Sequence, residues 1–342
     1  MAPVTNGRHL FSEIPQGPPV AGKTTTYDAS QTIDLENVPL NGGFLLKVLA
    51  ISLDPFMRGK MRHPEIESYS PPYIVGQPLS NFGVAVVLRS ENKDVKVGEH
   101  LYGYMNFENY LVRNDAQSFT KLDDNAKLPW TAYTGVAGMP GKTAVFGWQE
   151  YAQPQKGDVV FVTTAAGPVG SLIVQLAKLE GLRVIASAGS DAKVAFLKEL
   201  GADVAFNYKT TSTRDVLAKE GPINIYWDHV GGEMLEAAID AAARKARIIL
   251  CGAISAYNGE EYAIKNASKI ARKQIHMFGF LYADLEPKYG AKFYAEIPGK
   301  VQRGEIKYRE DVTWGLENVS QAFVDMLTGK NTGKSVVVVG KE

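Results

Sequence analysis

Residues 163–172 read Thr-Thr-Ala-Ala-Gly-Pro-Val-Gly-Ser-Leu. Small residues at this spacing can hold a pyrophosphate. Such a site must turn sharply after a strand, let backbone approach the phosphates, and aim a helix N-terminus at them. The common pattern is G-x-G-x-x-G; here Ala165 stands at the first glycine, giving Ala165-Ala166-Gly167-Pro168-Val169-Gly170. Gly167 suits the close approach and Gly170 the close packing of helix on strand. Ala165 is small enough for a turn without positive φ, and Pro168 suits the first helical turn, where its missing N–H has no partner to lose. A turn built for packing alone would use the same residues. The neighbouring strand, helix and second strand favour a dinucleotide.

The second strand ends at Ala188-Gly189-Ser190, with no carboxylate at its tip for a ribose 2′-hydroxyl. Lys193 follows on the next helix, and Tyr208 with Lys209 closes the third strand. Small residues, an ammonium and a phenol can accept a 2′-phosphate, which points to NADP(H) over NAD(H). The plainer alternative is that Ser190 and Asp191 cap a helix and Lys193 is solvated.

Other chemistries find less support. Cys251 is the single cysteine, so no internal disulfide or Cys-rich zinc site can form. The five histidines, His9, His63, His100, His229 and His276, show no ligand spacing, and no metal is expected. No G-x-S-x-G elbow occurs. Gly329–Ser335 resembles a phosphate loop, but it is one residue short and a strand follows where a helix should.

These residues need a scaffold. From 157 to 279, apolar runs at 158–165, 183–188, 203–207, 223–228, 246–252 and 274–280 alternate with helical patterns at 170–180, 191–200 and 233–243. That alternation predicts a parallel sheet covered on both faces. The first 130 residues carry proline, glycine and short alternating runs, the pattern of an antiparallel β barrel. The C-terminal run SVVVVGKE could join either domain. The 342 residues suffice for two domains with substantial cores. With 37 basic and 37 acidic residues, charge makes no case for nucleic acid or an anionic membrane. No run approaches the ~20 apolar residues of a membrane span, and the N-terminus lacks a signal-peptide core. A cytoplasmic protein is expected.

The stretches ISLDPFMRGKM (51–61), GVAGMPGKTAVFG (135–147), AAGPVG (165–170), LKELGADVAFNYK (197–209), WDHVGGE (227–233), CGAISAYN (251–258) and NTGKSVVVV (331–339) together carry a resemblance. The chain resembles the zinc-independent medium-chain dehydrogenases/reductases, in the leukotriene B4 dehydrogenase/prostaglandin reductase group with the plant NADPH-dependent alkenal double-bond reductases. The resemblance implies an α/β chain: a GroES-like antiparallel β barrel (1–130 and 306–342) plus a Rossmann doubly wound parallel sheet (131–305). It implies NADPH-dependent reduction of a C=C bond conjugated to a carbonyl. It assigns Ala166, Gly167, Pro168, Val169, Gly170, Gly189, Ser190, Lys193, Tyr208, Cys251, Ile254, Ser255, Tyr257, Phe280 and Asn331 to the cofactor, with Lys193 and Tyr208 at the 2′-phosphate and Asn331 near the nicotinamide.

Tyr257 matches the family tyrosine near the substrate carbonyl. Its phenol, with an ordinary pKa near ~10, can donate to the enolate left by hydride delivery to the β-carbon; shaping the pocket is the alternative role. Phe56, Met57, Tyr69, Met139, Tyr257, Phe280 and Tyr282 are expected pocket walls at a cleft between the domains, where the resemblance also puts Pro140. One departure is Phe56, where the family often has tyrosine. A small-molecule enal or enone is the expected partner. A homodimer is expected through the edge strand 274–280. A quinone reductase and a non-enzymatic, crystallin-like NADPH-binding protein are the competing functions.

Overall fold

The computed structural model describes residues 2–123 and 127–342. It divides into two compact units, Met1–Gly135 with Glu310–Glu342, and Val136–Arg309.

The first unit is built on a sheet in the order Glu310–Trp314, Lys334–Val338, Phe44–Ser52, Ser80–Ser90, His100–Asn106, Phe119–Lys121, with Tyr110–Arg113 also paired to Phe44–Ser52. Its pairs are antiparallel except Glu310–Trp314 with Lys334–Val338, which run parallel. The C-terminal run therefore belongs to this unit, with Val337 opposite Ile51. Alternation along the strands sends Phe44, Leu46, Val48 and Ile51 into one core with Leu101, Met105, Val337 and Phe323. Met57, expected to line a pocket, is instead fully buried in that core. It starts the one-turn helix Met57–Lys60, and its sulfur accepts from the Asn81 amide at 3.3 Å.

The same unit buries an ion pair. Lys334 Nζ lies 3.2 Å from Asp54 Oδ1, with both side chains nearly inaccessible. Lys334 also donates to the carbonyls of Leu53 and Ser335, while Asp54 accepts from the Ser52 hydroxyl and the Asn81 amide. Burial lowers the Lys334 pKa and Asp54 opposes that shift. The apparent phosphate loop thus runs into a strand that starts at Lys334, and its lysine is engaged by Asp54 and two carbonyls.

The second unit alternates strand and helix: β1 (Val159–Val162), α1 (Pro168–Leu179), β2 (Arg183–Ala188), α2 (Asp191–Glu199), β3 (Val204–Asn207), α3 (Thr213–Glu220), β4 (Ile223–Asp228), α4 (Gly232–Ala241), β5 (Ala242–Leu250), α5 (Ser268–Lys273), β6 (His276–Gly279) and α6 (Tyr282–Gln302). The sheet order is β3-β2-β1-β4-β5-β6, every pair parallel. This is the doubly wound order, and its chain reversal between β1 and β4 opens a ligand crevice at the strands' carboxyl ends. Val160, Phe161, Val162, Val184, Ile185 and Ala186 are fully buried, as strands covered on both faces must be.

Two boundaries differ most from expectation. β1 stops at Val162 rather than 165, because Thr164 takes a left-handed conformation (φ 45°) and turns the chain out of the sheet. β5 begins at Ala242, inside the alanine-rich run expected to be helical to 243. Pairing of Ala242 with Ile223 overrides the helical propensity of alanine there, and Lys245 absorbs the irregularity at φ 61°.

A candidate dinucleotide site

The turn after β1 has the shape that phosphate binding needs. Thr164 O accepts from Gly167 N at 3.0 Å, and Ala165 N donates to Ser187 O of β2 at 2.9 Å. The positive φ falls on Thr164, whereas Ala165 stays in the ordinary region. Gly167 is the N-cap of α1 and Pro168 its first residue. A Cβ on Gly170 would lie 2.7 Å from Ala165 Cα, so only glycine lets the helix sit this close to the turn. A Cβ on Gly167 would meet only Thr164 O, at 3.4 Å. The space in front of Gly167 is open, and the first-turn N–H groups have no intrahelical acceptor. Negative charge is favoured there.

The end of β2 supplies the second half. A Cβ on Gly189 would lie 3.2 Å from Tyr208 Oη and 3.3 Å from Lys209 Cε, so these three residues lie side by side. Ser190 caps α2 by accepting from Lys193 N at 3.4 Å. Lys193 is half-buried and Tyr208 exposed. The carboxylate nearest this strand tip, Asp191, accepts from Asn207 Nδ2 at 2.9 Å. Tyr208 lies just beyond β3, its N–H donating to Ala188 O at 3.1 Å. Lys209 was not assigned to the cofactor from sequence. The available signal was its position two residues past the third strand. The cradle fits a dinucleotide carrying a 2′-phosphate, for which an ammonium and a phenol are suitable donors.

Tyr257 follows the one-turn helix Ile254–Ala256, and its N–H donates to Ile254 O at 3.2 Å. The segment 251–257 is stitched to the residues after β4. Cys251 N and Gly252 N donate to Asp228 O at 2.8 and 3.1 Å, Ile254 N to His229 O at 3.1 Å, and the Ser255 hydroxyl to Val230 O at 2.6 Å. Tyr257 Oη lies 3.6 Å from the Cβ position of Gly252. Burial pushes the Cys251 thiol up to about 12, so it carries no thiolate at neutral pH. Asp228 Oδ1 accepts from the Tyr226 hydroxyl and from Val230 N and Gly231 N. Burial raises the Asp228 pKa.

The structure thus brings Ala166, Gly167, Pro168, Val169, Gly170, Gly189, Ser190, Lys193 and Tyr208 to the carboxyl ends of β1–β3, with Cys251, Ile254, Ser255 and Tyr257 after β5. Phe280, just past β6, packs edge-on against Trp227 with centroids 6.0 Å apart and tilted against Tyr151 at 5.6 Å. Tyr282 opens α6, and Met139 opens the helix Met139–Gly147. The remaining three belong to the first unit. Phe56 packs on its core, Tyr69 is 63% exposed, and Asn331 Nδ2 donates to Gly333 O at 2.9 Å. No group of three or more His, Cys, Asp or Glu suited to a metal occurs among the described residues.

Comparison with known proteins gives the family of the chain. Residues 168–296 match the family described as zinc-binding dehydrogenase, and residues 10–122 the N-terminal domain of oxidoreductase. A 2-alkenal reductase (NADP(+)-dependent) of Nicotiana tabacum is 37% identical over 333 residues, covering 93% of this chain and 95% of the relative. The chain belongs to the medium-chain dehydrogenase/reductase superfamily, on the branch of the alkenal double-bond reductases. An NADP-dependent oxidoreductase of Cochliobolus heterostrophus is 37% identical, with 89% of each chain covered. The crystal structure of CurA from Vibrio vulnificus in complex with NADPH superimposes with a TM-score of 0.88 at 33% identity, covering 98% of this chain and 100% of that one. These medium-chain relatives match the chain across both of its units.

Proposed function

We propose that this chain is an NADPH-dependent reductase of α,β-unsaturated aldehydes and ketones. The observation that carries the proposal is the pairing of the pyrophosphate turn with the Gly189–Tyr208–Lys209 cluster on one sheet, in a chain whose relatives include a 2-alkenal reductase. NADPH, when bound, supplies a hydride. The chain binds its pyrophosphate at Gly167 and the α1 N-terminus, and its 2′-phosphate at Lys193 and Tyr208. Orientation of the conjugated β-carbon then provides much of the rate. Tyr257 donates a hydrogen bond to the carbonyl oxygen, which becomes an enolate as the β-carbon is reduced. A proton delivered to the α-carbon completes saturation of the bond.

On the second unit, Met139, Phe280 and Tyr282 are the apolar residues proposed to meet the substrate; on the first, Phe56 and Tyr69 are the proposed substrate residues and Asn331 the proposed nicotinamide residue. The exposed terminal strand β6, paired only with β5, joins two copies in a cytoplasmic homodimer; a monomeric mass in solution would end that part of the proposal.

The test is loss of NADPH absorbance with a medium-length 2-alkenal, run beside NADH. Turnover with NADPH and little with NADH is expected. In Tyr257→Phe, kcat should fall about tenfold, the scale of one lost hydrogen bond. Tight NADPH binding without turnover of any enal or enone would overturn the reaction and leave the cofactor.

A further inference from the structure

The cofactor turn is held from behind by a histidine that neither the motif nor the resemblance assigns a role. Thr163, the last residue before the left-handed Thr164, is gripped by the segment after β4. Its hydroxyl accepts from His229 N at 3.1 Å and its carbonyl lies 2.7 Å from His229 Nδ1. The other ring nitrogen, Nε2, lies 3.1 Å from Trp227 Nε1. An indole nitrogen only donates. Nε2 must therefore be the acceptor, which puts the single proton on Nδ1, where it is donated to Thr163 O. Trp227 is fully buried. Burial of the imidazole holds its pKa down to about 4, so the neutral ring persists at neutral pH.

Thr163 O sits on the peptide leading into Thr164, whose own carbonyl accepts from Gly167 N and lies 2.9 Å from the Cβ position of Gly170. The His229 carbonyl also receives Ile254 N, in the segment that carries Tyr257. One residue thus ties together the turn and the Tyr257 loop.

We propose that His229 is a positioning residue for the cofactor, a tautomer-locked strut between Trp227 and the Thr163 carbonyl that holds the pyrophosphate turn in its binding shape. This rests on the reading that the turn takes the pyrophosphate of NADPH.

The test combines variants with spectroscopy on the full chain. In His229→Asn the amide hangs from Cγ as Nδ1 does and keeps a donor for Thr163 O. In His229→Gln the amide sits one bond further out and that donor is lost; His229→Leu loses both contacts. NADPH titration followed by fluorescence should show the asparagine variant within about threefold of wild type and the other two about tenfold weaker, the scale of one buried hydrogen bond. Histidine 15N NMR of the wild type should show His229 as an Nδ1–H tautomer beside that of His9, whose Nδ1 faces Leu316 O, and only the His229 signal should be lost in His229→Asn.

Gly167→Asp is the control for the underlying reading. Its side chain has room, and its charge repels a pyrophosphate, so it should lose NADPH binding with its melting temperature intact. Weakened binding in Gly167→Asp, with folded His229→Gln and His229→Leu binding as wild type does, would overturn the strut and leave the turn's role standing. An Nε2–H tautomer would overturn it as well. Unchanged NADPH affinity in Gly167→Asp would overturn the turn's role and the strut with it.

Discussion

At the residue scale, a few polar atoms around one glycine are those proposed to set cofactor choice. Gly189 has no side chain, and Tyr208 Oη and Lys209 Cε occupy the space beside it. Asp191, the carboxylate that follows the end of β2, accepts from Asn207 Nδ2 through Oδ1. A charge-assisted hydrogen bond to phosphate is worth about 1.5–3 kcal/mol. Lys193→Ala and Tyr208→Phe should therefore each raise the KM for NADPH by roughly tenfold or more, and leave the weak KM for NADH nearly unchanged. Lys209→Ala should move NADPH in the same direction. Steady-state kinetics with both cofactors read this directly, and equal losses for NADH would mean that these residues act on folding and not on the phosphate.

At the element scale, the fit of helix on strand and the fit of strand ends against each other set what can be changed. Gly170 lets α1 approach the turn to a distance that no Cβ allows. Gly170→Ala forces backbone to shift, and overpacking of this kind costs about 1–3 kcal/mol. The melting temperature should drop and NADPH binding should weaken together. In the first unit, Lys334 at the start of its strand is buried against Asp54. Lys334→Met would leave that carboxylate buried and unpaired, at a cost of about 3–5 kcal/mol. Denaturant unfolding measures the loss, and Asp54→Asn in the same background should recover part of it. The loop at Phe56 and the segment at Asn331 are anchored next to this pair in sequence, so the double variant also reports whether the charge itself matters to turnover.

At the scale of the whole molecule, stability should depend on a histidine remote from the proposed chemistry. His9 is fully buried, with Nδ1 2.9 Å from Leu316 O and Nε2 2.9 Å from the Thr25 hydroxyl. Burial holds its pKa down to about 4. An unfolded histidine titrates near ~6.5. Between these values the unfolded chain binds a proton that the folded chain does not, so stability rises with pH across that window. The contribution is complete above about pH 6.5 and is lost as pH falls toward 4, at about 1.4 kcal/mol per pH unit. Urea unfolding at pH 7.5 and pH 4.5 should show this loss, and His9→Gln should reduce the difference. An unchanged difference would mean that His9 is not the group that titrates.

Much of the second unit was legible in the sequence, because a buried parallel strand must be apolar throughout and an α/β turn must be small. The runs at 183–188 and 223–228 are strands over those same residues, and helices lie where the apolar spacing put them. Local signals were weaker wherever partners far along the chain competed with them. Alanine 242 is a good helix former that pairs with Ile223 instead. The run SVVVVGKE offered two possible homes, and pairing with Ile51 and its neighbours chose one. Met57 had the same apolar character as its neighbour Phe56, and only packing separated a core residue from one at its margin.

The sequence by itself determined the sheet class, the small-residue turn and the polar residues at the carboxyl ends of β2 and β3, because those depend on residue type and short spacing. The tertiary structure alone decided that the left-handed residue is Thr164, that Lys209 joins Gly189, that Asp191 accepts from Asn207, and that His229 sits between Trp227 and Thr163. Each is a contact between segments that only the parallel sheet sets side by side, and hydrogen-bond geometry has no counterpart in local composition.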